Sequence, residues 1–378
     1  MENLTPDQEA VVEMVRDFAA VELAPHTAAW DEEKHFPVDV LARAGELGMG
    51  GIYVAEDFGG SALSRTDAAL IFEELAAVDP SIAAYISIHN MVAWMIDAFG
   101  NDEQRARLLP GITAMTELCS YCLSEPGVGS DAAAITTRAV ADGEDYLING
   151  TKQFISGAGA SAWYLVMVRT ADLGSRGITA VVVPHDAPGL SFGANEKKMG
   201  WRAQPTRQVF FDNVRIPQAN RLGAEGDGFG IAMKGLNGGR VNIGACSLGG
   251  GRAALEKSIA YLKERQAFGG PLIEKQHLLF EIAHMDTELE LARTMLRRAA
   301  RALDDGAPDT VKLCAMAKWV ATDAGFHVAD QALQLHGGYG YLSEYGLEKL
   351  VRDLRVHQIL EGSNEIMQLI VGRLAVER

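Results

Sequence analysis

The spacing of apolar residues changes twice along the chain, and this change restricts the possible fold more than any other feature. Residues 1–117 place apolar side chains such as Val11 and Val15 at helical spacing. Residues 118–226 instead contain short β-branched and aromatic runs separated by turn residues. Helical spacing returns in residues 227–378, over stretches long enough to pack as a bundle. The sequence therefore predicts an α+β protein with three domains at these bounds.

The same spacing predicts individual elements. We predict helices over residues 38–47, 66–78, 81–99, 102–114, 231–266, 276–304, 310–335, 345–358 and 364–376. The stretch 231–266 contains either one long helix or two short ones. In the middle region, two β-rich runs flank Asn149-Gly150, the dipeptide most typical of a two-residue hairpin. We therefore predict a hairpin there, and a further turn at Asp142-Gly143.

Charge and hydropathy restrict the partners. The chain has 34 Lys and Arg against 50 Asp and Glu, a formal net charge of −16, which repels phosphate backbones. No apolar run approaches the roughly 18 residues of a membrane span. The acidic, polar start has no features of a secretory or transit peptide. We expect a soluble protein that binds neither nucleic acid nor membrane, in the bacterial cytoplasm or, if it is a trimmed eukaryotic form, in the mitochondrial matrix.

Two clusters have the residue types of a metal site without its spacing. Cys119 and Cys122 form C-x-x-C, but the other cysteines are isolated and no histidine pair completes a tetrad. We interpret both as small apolar residues on a buried strand. His277 and His284 lie seven residues apart on a predicted helix, whereas metal-binding histidines on a helix are typically four apart. We interpret them as part of a solvated face, and no metal site is predicted.

Four glycine-rich loops have the character of a cofactor site. YCLSEPGVGSD (121–131) and QFISGAG (153–159) expose backbone N–H groups and hydroxyls. QLHGGYGY (334–341) places two glycines at a helix end, and RQAFGGP (265–271) contributes an arginine suited to phosphate. Each loop alone is more typical of a turn or a helix cap. Together they predict a site for a large phosphate-bearing cofactor, although neither a P-loop nor a Rossmann motif is present.

Glu361, in ILEGSNEI (359–366), has two interpretations. Ser363 is suited to cap the N-terminus of the final predicted helix. Glu361 is then an acid favoured by the dipole of that helix. Alternatively, Glu361 is a general base beside backbone N–H groups that polarise a carbonyl. The residues alone do not decide between the two.

The chain resembles the acyl-CoA dehydrogenase family over essentially its whole length. Six motifs carry the resemblance in the family's order: YCLSEPGVGSD, FISG, KMGWRAQPT (198–206), RQAFG, QLHGGYGY and LEGSNE. Residues 86–101, 235–240 and 355–367 resemble the subgroup that oxidises isobutyryl-CoA in valine breakdown. The resemblance implies an N-terminal helical domain, a middle β domain and a C-terminal four-helix bundle.

The resemblance also implies an activity. It is the FAD-dependent α,β-dehydrogenation of a short branched acyl-CoA, with isobutyryl-CoA converted to methacrylyl-CoA in valine catabolism. Electrons would pass to electron-transfer flavoprotein, and the chain would form a homotetramer built as a dimer of dimers. The alternatives are the same chemistry on 2-methylbutyryl-CoA or another short acyl-CoA, an acyl-CoA oxidase, and a non-catalytic assembly subunit. Oxidases are usually much longer than this chain.

Residue roles follow from the resemblance position by position. Glu361 would be the catalytic base, because relatives that carry this carboxylate in the bundle helix have it where Gly239 stands here. The residues implied for FAD are Tyr121, Cys122, Leu123, Ser124, Gly129, Ser130, Phe154, Ile155, Ser156, Arg265, Gln276, Gln334, Leu335, His336, Gly337, Gly338, Ser363, Asn364 and Glu365. Those implied for the acyl-CoA are Ser130, Asn237, Gly238, Gly239, Arg240 and Arg373. We further predict that Gly238 and Gly239 leave room for an α-methyl branch.

Overall fold

The computed structural model describes residues 4–377 and confirms the predicted order of helical, β and helical parts. A short π-helical segment, Ala19–Leu23, follows the first helix. The N-terminal helices are α1 (Pro6–Phe18), α2 (Thr27–Glu33), α3 (Val38–Glu46), α4 (Arg65–Val78), α5 (Pro80–Phe99) and α6 (Asp102–Thr113).

Capping residues explain where three of these helices begin. Thr5, Ser64 and Asn101 precede α1, α4 and α6, and each side chain accepts a hydrogen bond from the backbone N–H three residues later. The residue at that third position bonds back to the backbone of the cap in all three cases. This reciprocal arrangement satisfies donors that a helix start otherwise leaves unpaired.

The middle part is a mixed eight-stranded sheet. Its strands follow the spatial order β6-β7-β3-β2-β4-β5-β8, and β1 pairs in parallel with β4. They are β1 (Cys119–Cys122), β2 (Arg138–Asp142), β3 (Asp145–Ser156), β4 (Trp163–Arg169), β5 (Ile178–Pro184), β6 (Leu190–Phe192), β7 (Thr206–Pro217) and β8 (Arg221–Leu222). Cys119 and Cys122 are buried on β1 with free thiols, as predicted for small apolar strand residues.

The C-terminal part is built on one long central helix. The stretch predicted as one or two helices is the single helix α7, which packs against α4 and α5 as well as against the bundle. A short hairpin, β9 (Gln266–Ala267) and β10 (Gly270–Pro271), follows it. The C-terminal helices are α7 (Gly228–Glu264), α8 (Gln276–Asp304), α9 (Thr310–Leu335), α10 (Leu347–Arg355) and α11 (Asn364–Val376).

The hairpin predicted at Asn149-Gly150 is wrong, because β3 runs straight through both residues. The side chain of Asn149 pairs instead with Asn213 on β7, and the register with β7 shifts next to Gly150. A Cβ atom on Gly150 would lie 2.6 Å from Thr137 Oγ1. Glycine at this position therefore lets β3 pass close to Thr137 and does not form a turn of the chain. The actual reversal between β2 and β3 is the predicted turn at Gly143, where φ is 65°.

Helix α5 is long and apolar enough to cross a bilayer by length and composition, contrary to our expectation that no such stretch exists. Its most apolar 18 residues are 72% buried inside the protein. Two polar side chains of α5 are also bonded internally: His89 Nε2 lies 2.8 Å from the carbonyl of Ile112, and Asn90 Nδ2 donates to the carbonyl of Met49 at 2.7 Å. Buried core helices of soluble proteins can have the same length and composition, so this helix is weak evidence for a membrane span.

A buried lysine joins α10 to the start of α5. Lys349 Nζ lies 3.1 Å from Asp79 Oδ2 and 2.8 Å from Asp353 Oδ2. The other oxygens of the two carboxylates accept backbone N–H groups, from Ser81 in α5 and from Trp201. Burial alone lowers the pKa of Lys349, but Asp353 and Asp79 together raise it above its ordinary value. Removing this ammonium would therefore leave two buried carboxylates without their cation.

We expect Lys349→Met to destabilise the fold by about 3–5 kcal/mol, the usual cost of breaking a buried ion pair on one side. Arg43→Met is the control, because Arg43 is 43% exposed in its pairs with Glu22 and Asp39 and such surface pairs are worth about 1 kcal/mol or less. The measurement is the free energy of unfolding in urea. An equal decrease in the free energy of unfolding in the two variants would show that the buried cluster stabilises the fold no more than a surface ion pair.

Candidate active site

Glu361 lies in a strained turn just before α11. The backbone angle φ is 55° at Glu361 and 91° at Gly362, so two consecutive residues are left-handed. Such a conformation at a non-glycine residue persists only where surrounding contacts impose it. The turn directs the carboxylate into the protein, where its Oε2 is buried and makes no hydrogen bond within residues 4–377.

Two buried cations hold this turn through its main chain. Arg240 Nε on α7 donates to the carbonyl of Glu361 at 3.3 Å, and Lys318 Nζ on α9 donates to the carbonyl of Gly362 at 2.9 Å. Burial raises the pKa of Glu361 to about 7, while the charges of Lys318 and Arg240 oppose that rise. A carboxylate with this basicity and an unbonded oxygen is suited to accept a proton near neutral pH.

The carboxylate of Glu361 lies directly beside Gly239 on α7. A Cβ atom built on Gly239 would lie 2.5 Å from Glu361 Oε2. Positions 239 and 361 are therefore two places in the sequence from which a carboxylate reaches one location. This proximity fits the implied exchange of the catalytic residue between the bundle helix and the C-terminal turn.

The two glycines on α7 do not leave the open space that we predicted for a methyl branch. The space beside Gly239 is filled by the carboxylate of Glu361, and a Cβ atom on Gly238 would lie 2.6 Å from Arg65 Nη1. The guanidinium carbon of Arg65 lies 3.4 Å from the ring centre of Tyr53, a cation–π contact. Side chains of the protein occupy both places in this structure, and room for the methyl branch of a bound substrate stays a prediction.

The β domain brings two of the predicted FAD segments together. The N–H of Gln153 donates to the carbonyl of Ser124 at 2.8 Å, and Ser120 Oγ donates to the carbonyl of Ser156 at 2.7 Å. Leu123 and Ile155 are buried beside these contacts, and the thiol of Cys122 lies in the sheet core. The end of β1 and the end of β3 thus form one continuous surface.

This surface has unsatisfied groups that fit a bound aromatic cofactor. Phe154 has a φ of 60° and is 67% exposed, although it is a large aromatic residue. The hydroxyl of Tyr121 is buried without a hydrogen-bond partner in the described residues. Burial raises the pKa of Tyr121, and the charge of Glu361 raises it further, so the phenol remains neutral. A Cβ atom on Gly129 would meet nothing within 4 Å, so the loop of Gly129 and Ser130 is open to a ligand.

A buried ion pair fixes this loop to the sheet. Lys152 Nζ lies 2.8 Å from Glu125 Oε1 and donates to the carbonyl of Leu123 at 3.0 Å. The Glu125 carboxylate also accepts the backbone N–H groups of Thr136 and Thr137. Burial alone raises the pKa of Glu125, but Lys152 and these hydrogen bonds lower it to about 2. The carboxylate therefore stays ionised and holds the loop between Leu123 and Ser130.

A second group of predicted FAD residues lies at the opposite end of the bundle. Sixteen residues of α9 separate Lys318 from Gln334, which corresponds to about 24 Å. His336 stacks on Tyr261 at a centroid distance of 4.2 Å, and Arg265 lies 5.7 Å from the ring centre of Tyr339. This distal group consists of Arg265, Gln276, Gln334, Leu335, His336, Gly337 and Gly338. A single chain therefore does not bring the two sets of predicted FAD residues to one place.

The remaining predicted residues divide between the turn and the surface. Ser363 is at the N-cap of α11, but its side chain makes no capping hydrogen bond. Asn364 is buried, and its amide bonds Lys318, Thr322 and Asp323 inside the bundle, so it presents no free side chain to a cofactor. Asn237 accepts a hydrogen bond from Arg240 at 3.0 Å. Among these remaining residues, Ser130, Glu365 and Arg373 are exposed.

Sequence reasoning did not select Lys318, although it bonds the turn that carries Glu361. The available signal was a single lysine within the apolar run LCAMAKWVAT of a predicted helix. Such a residue is otherwise exposed or paired, so its position in the run indicates a buried charge with a specific role.

We expect Glu361→Gln to stabilise the folded protein above neutral pH and to have little effect near pH 5. The folded-state pKa of about 7 exceeds the ordinary value of 4.5, so stability is lost as pH rises between these values and stays low above pH 7. The full difference is on the order of 3 kcal/mol. Melting temperatures from pH 5 to 8 test this, with Glu344→Gln as an exposed control. A difference in melting temperature between Glu361→Gln and the wild type that does not change with pH would contradict the raised pKa.

Domain families and relatives of known name match this chain along nearly its whole length. Three domain families match: the acyl-CoA dehydrogenase N-terminal domain over residues 5–116, the middle domain over 120–214 and the C-terminal domain over 226–375. The chain is 52% identical to mitochondrial isobutyryl-CoA dehydrogenase of Bos taurus, an alignment that covers 98% of this chain and 89% of the relative.

Solved structures show the same fold. Butyryl-CoA dehydrogenase from Megasphaera elsdenii superposes with a TM-score of 0.97 at 35% identity, with full coverage of both chains. A chain in a structure of the electron transferring flavoprotein of Acidaminococcus fermentans superposes with a TM-score of 0.98, also at 35% identity and with full coverage. The family is FAD-dependent and oxidises CH–CH bonds, which confirms the predicted cofactor and enzyme class. Its fold, its motifs and these relatives together show that the chain belongs to the acyl-CoA dehydrogenase family.

Proposed function

We propose that this enzyme converts isobutyryl-CoA to methacrylyl-CoA in valine catabolism and that Glu361 removes the α-proton. The observation that carries the proposal is the buried, unbonded Oε2 of Glu361. The choice of acyl group is supported by the relative that is 52% identical and named for isobutyryl-CoA. The alternative is another short acyl-CoA, such as 2-methylbutyryl-CoA.

The turn of Glu361 supplies both groups that α-proton removal needs. The carboxylate has a pKa of about 7, close to the optimum for a base that works at neutral pH. In residues 4–377 the backbone N–H of Glu361 donates to no protein acceptor. We infer that this N–H binds the thioester carbonyl and stabilises the negative charge that develops as the α-proton leaves.

The surface formed by β1 and β3 would hold the reacting part of FAD. Tyr121, Ser124, Phe154 and Ser156 would line it, because they bring together an unpartnered hydroxyl, an exposed ring and the paired strand ends. When bound, FAD accepts the β-hydrogen of the substrate as a hydride. Placing this surface beside Glu361 would also exclude water from the base, which keeps its basicity high.

We further propose a homotetramer, arranged as a dimer of dimers, that passes electrons to electron-transfer flavoprotein. Gln334 of the distal group lies about 24 Å along α9 from Lys318, which bonds the Glu361 turn. The distal group would complete the FAD site of a neighbouring subunit.

The net charge of −16 opposes nucleic-acid binding. Most of α5 is buried inside the protein, which supports a protein without a membrane span. We propose the bacterial cytoplasm or the mitochondrial matrix as its compartment.

The proposal is tested by anaerobic stopped-flow mixing of the holoenzyme with isobutyryl-CoA, butyryl-CoA and isovaleryl-CoA. We expect isobutyryl-CoA to bleach the flavin fastest and Glu361→Gln to slow bleaching by at least about a thousandfold, because the base is lost. Faster bleaching by another thioester would change the substrate and keep the base. No bleaching by any of them would favour the non-catalytic assembly subunit.

We expect Gly239→Ala to fold and to reduce the flavin about tenfold or more slowly, because its Cβ would meet Glu361 Oε2 at 2.5 Å and displace the carboxylate. Gly230→Ala is the matched control on α7, since a Cβ there meets nothing within 4 Å. Equal rates of flavin reduction in the two variants would show that Gly239 does not confine the base.

A further inference from the structure

Lys318 has surroundings that ordinary packing does not explain. Its side chain on α9 is fully buried. Its Nζ donates to two neutral acceptors, the carbonyl of Gly362 at 2.9 Å and Asn364 Oδ1 at 2.8 Å. Within residues 4–377 it forms no ion pair. A buried ammonium without a paired carboxylate is costly, so its retention calls for a role beyond filling space.

The other buried lysines show the usual solution. Lys152 and Lys349 each lie 2.8 Å from a carboxylate oxygen. Burial lowers the pKa of Lys318 to about 8, and the acid that opposes this most, Glu361, forms no ion pair with it. The ammonium of Lys318 therefore bonds the turn of Glu361 without forming an ion pair with a carboxylate there.

We propose that Lys318 is a positioning residue for the reaction: it fixes the Glu361–Gly362 turn through its hydrogen bonds and places a positive charge without an ion-pair partner near the Glu361 carboxylate. This inference rests on the proposed role of Glu361 as the base. It adds a residue that touches neither the carboxylate nor, by this geometry, the reacting carbons.

The hydrogen bonds reach both sides of the turn. One acceptor, Gly362, directly follows the base, and the other, Asn364, is the first residue of α11. The amide of Asn364 is itself fixed by a 2.7 Å bond to Asp323 on α9. Together with Arg240 from α7, Lys318 therefore restrains a left-handed pair of residues that would otherwise relax.

The charge acts on the basicity of Glu361. Five titratable groups interact with Glu361 through their charges. They are Lys318 from α9, Arg240 and Cys246 from α7, Tyr121 from β1 and Tyr53 from the segment before α4. Only the first two of these are cations. Lys318 is in turn faced by Glu361, Arg240, Asp323 and Glu365. Loss of the Lys318 charge removes one of the two cations that favour the ionised carboxylate, so the pKa of Glu361 must rise.

The test compares Lys318→Gln, which keeps a hydrogen-bond donor, with Lys318→Met, which keeps neither donor nor charge. The measurement is the rate of anaerobic flavin reduction by isobutyryl-CoA in the holoenzyme, from pH 5.5 to 9. We expect both variants to move the midpoint of the pH profile upward by about one unit, since one neighbouring cation is lost. Lys318→Met also lowers the high-pH plateau by about tenfold, because the turn loses its bond.

Thr322→Val is the matched control, because it removes a hydroxyl that bonds Asn364 and leaves the lysine intact. Its midpoint stays at the wild-type value if charge is the cause. A wild-type midpoint in both Lys318 variants, or an equal displacement in Thr322→Val, overturns the proposal. If neither Lys318 variant folds, Asn364→Ala is measured; it keeps the charge, so a lowered plateau at the wild-type midpoint supports the proposal and a wild-type plateau overturns it.

The Glu361→Gln variant distinguishes a failure of the proposed base from a failure of the proposed role of Lys318. If it reduces its flavin at the wild-type rate, the base is wrongly assigned and the proposed function fails. If it is inactive while the Lys318 variants keep the wild-type profile, only the role of Lys318 fails.

Discussion

The site depends on two hydrogen bonds that buried cations donate to the main chain of one turn. Arg240 reaches the carbonyl of Glu361 from α7, and Lys318 reaches that of Gly362 from α9. Because both cations bond carbonyls, the carboxylate Oε2 remains unbonded and ready to accept a proton. The position of the base is thus a consequence of how α7 and α9 pack.

Buried lysines join separate segments in each part of the molecule. Lys152 fixes the loop after β1 through Glu125, and Lys349 joins α10 to the start of α5 through Asp79. Both have carboxylate partners, so they are understood as stable internal ion pairs. Lys318 differs because its bonded partners are neutral and the acid that affects its pKa most is the candidate base. The same kind of side chain therefore serves structure in two cases and the chemistry of the site in the third.

Local sequence signals predicted the elements well where one signal dominated. Helical spacing located α3 to α6 and α8 to α11 within a few residues, and the single helix α7 was one of two stated possibilities. The failure at Asn149-Gly150 has a physical cause. The dipeptide favours a tight turn, but strands on both sides of β3 pair with it and the Asn149 amide bonds Asn213 across the sheet. Tertiary pairing outweighed a strong local preference.

The sequence by itself determined the three-part order of the fold, the family and its cofactor, because spacing and short motifs depend only on neighbouring residues. It also identified Glu361 as the candidate base through the resemblance. Only the tertiary structure decided that Gly239 faces that carboxylate, that Arg65 fills the space beside Gly238 and that Lys318 bonds the turn. These relations join residues from 44 to more than 170 positions apart. Burial and charge at the site arise from such contacts, and the apolar run around Lys318 indicated a buried charge without showing which groups it bonds.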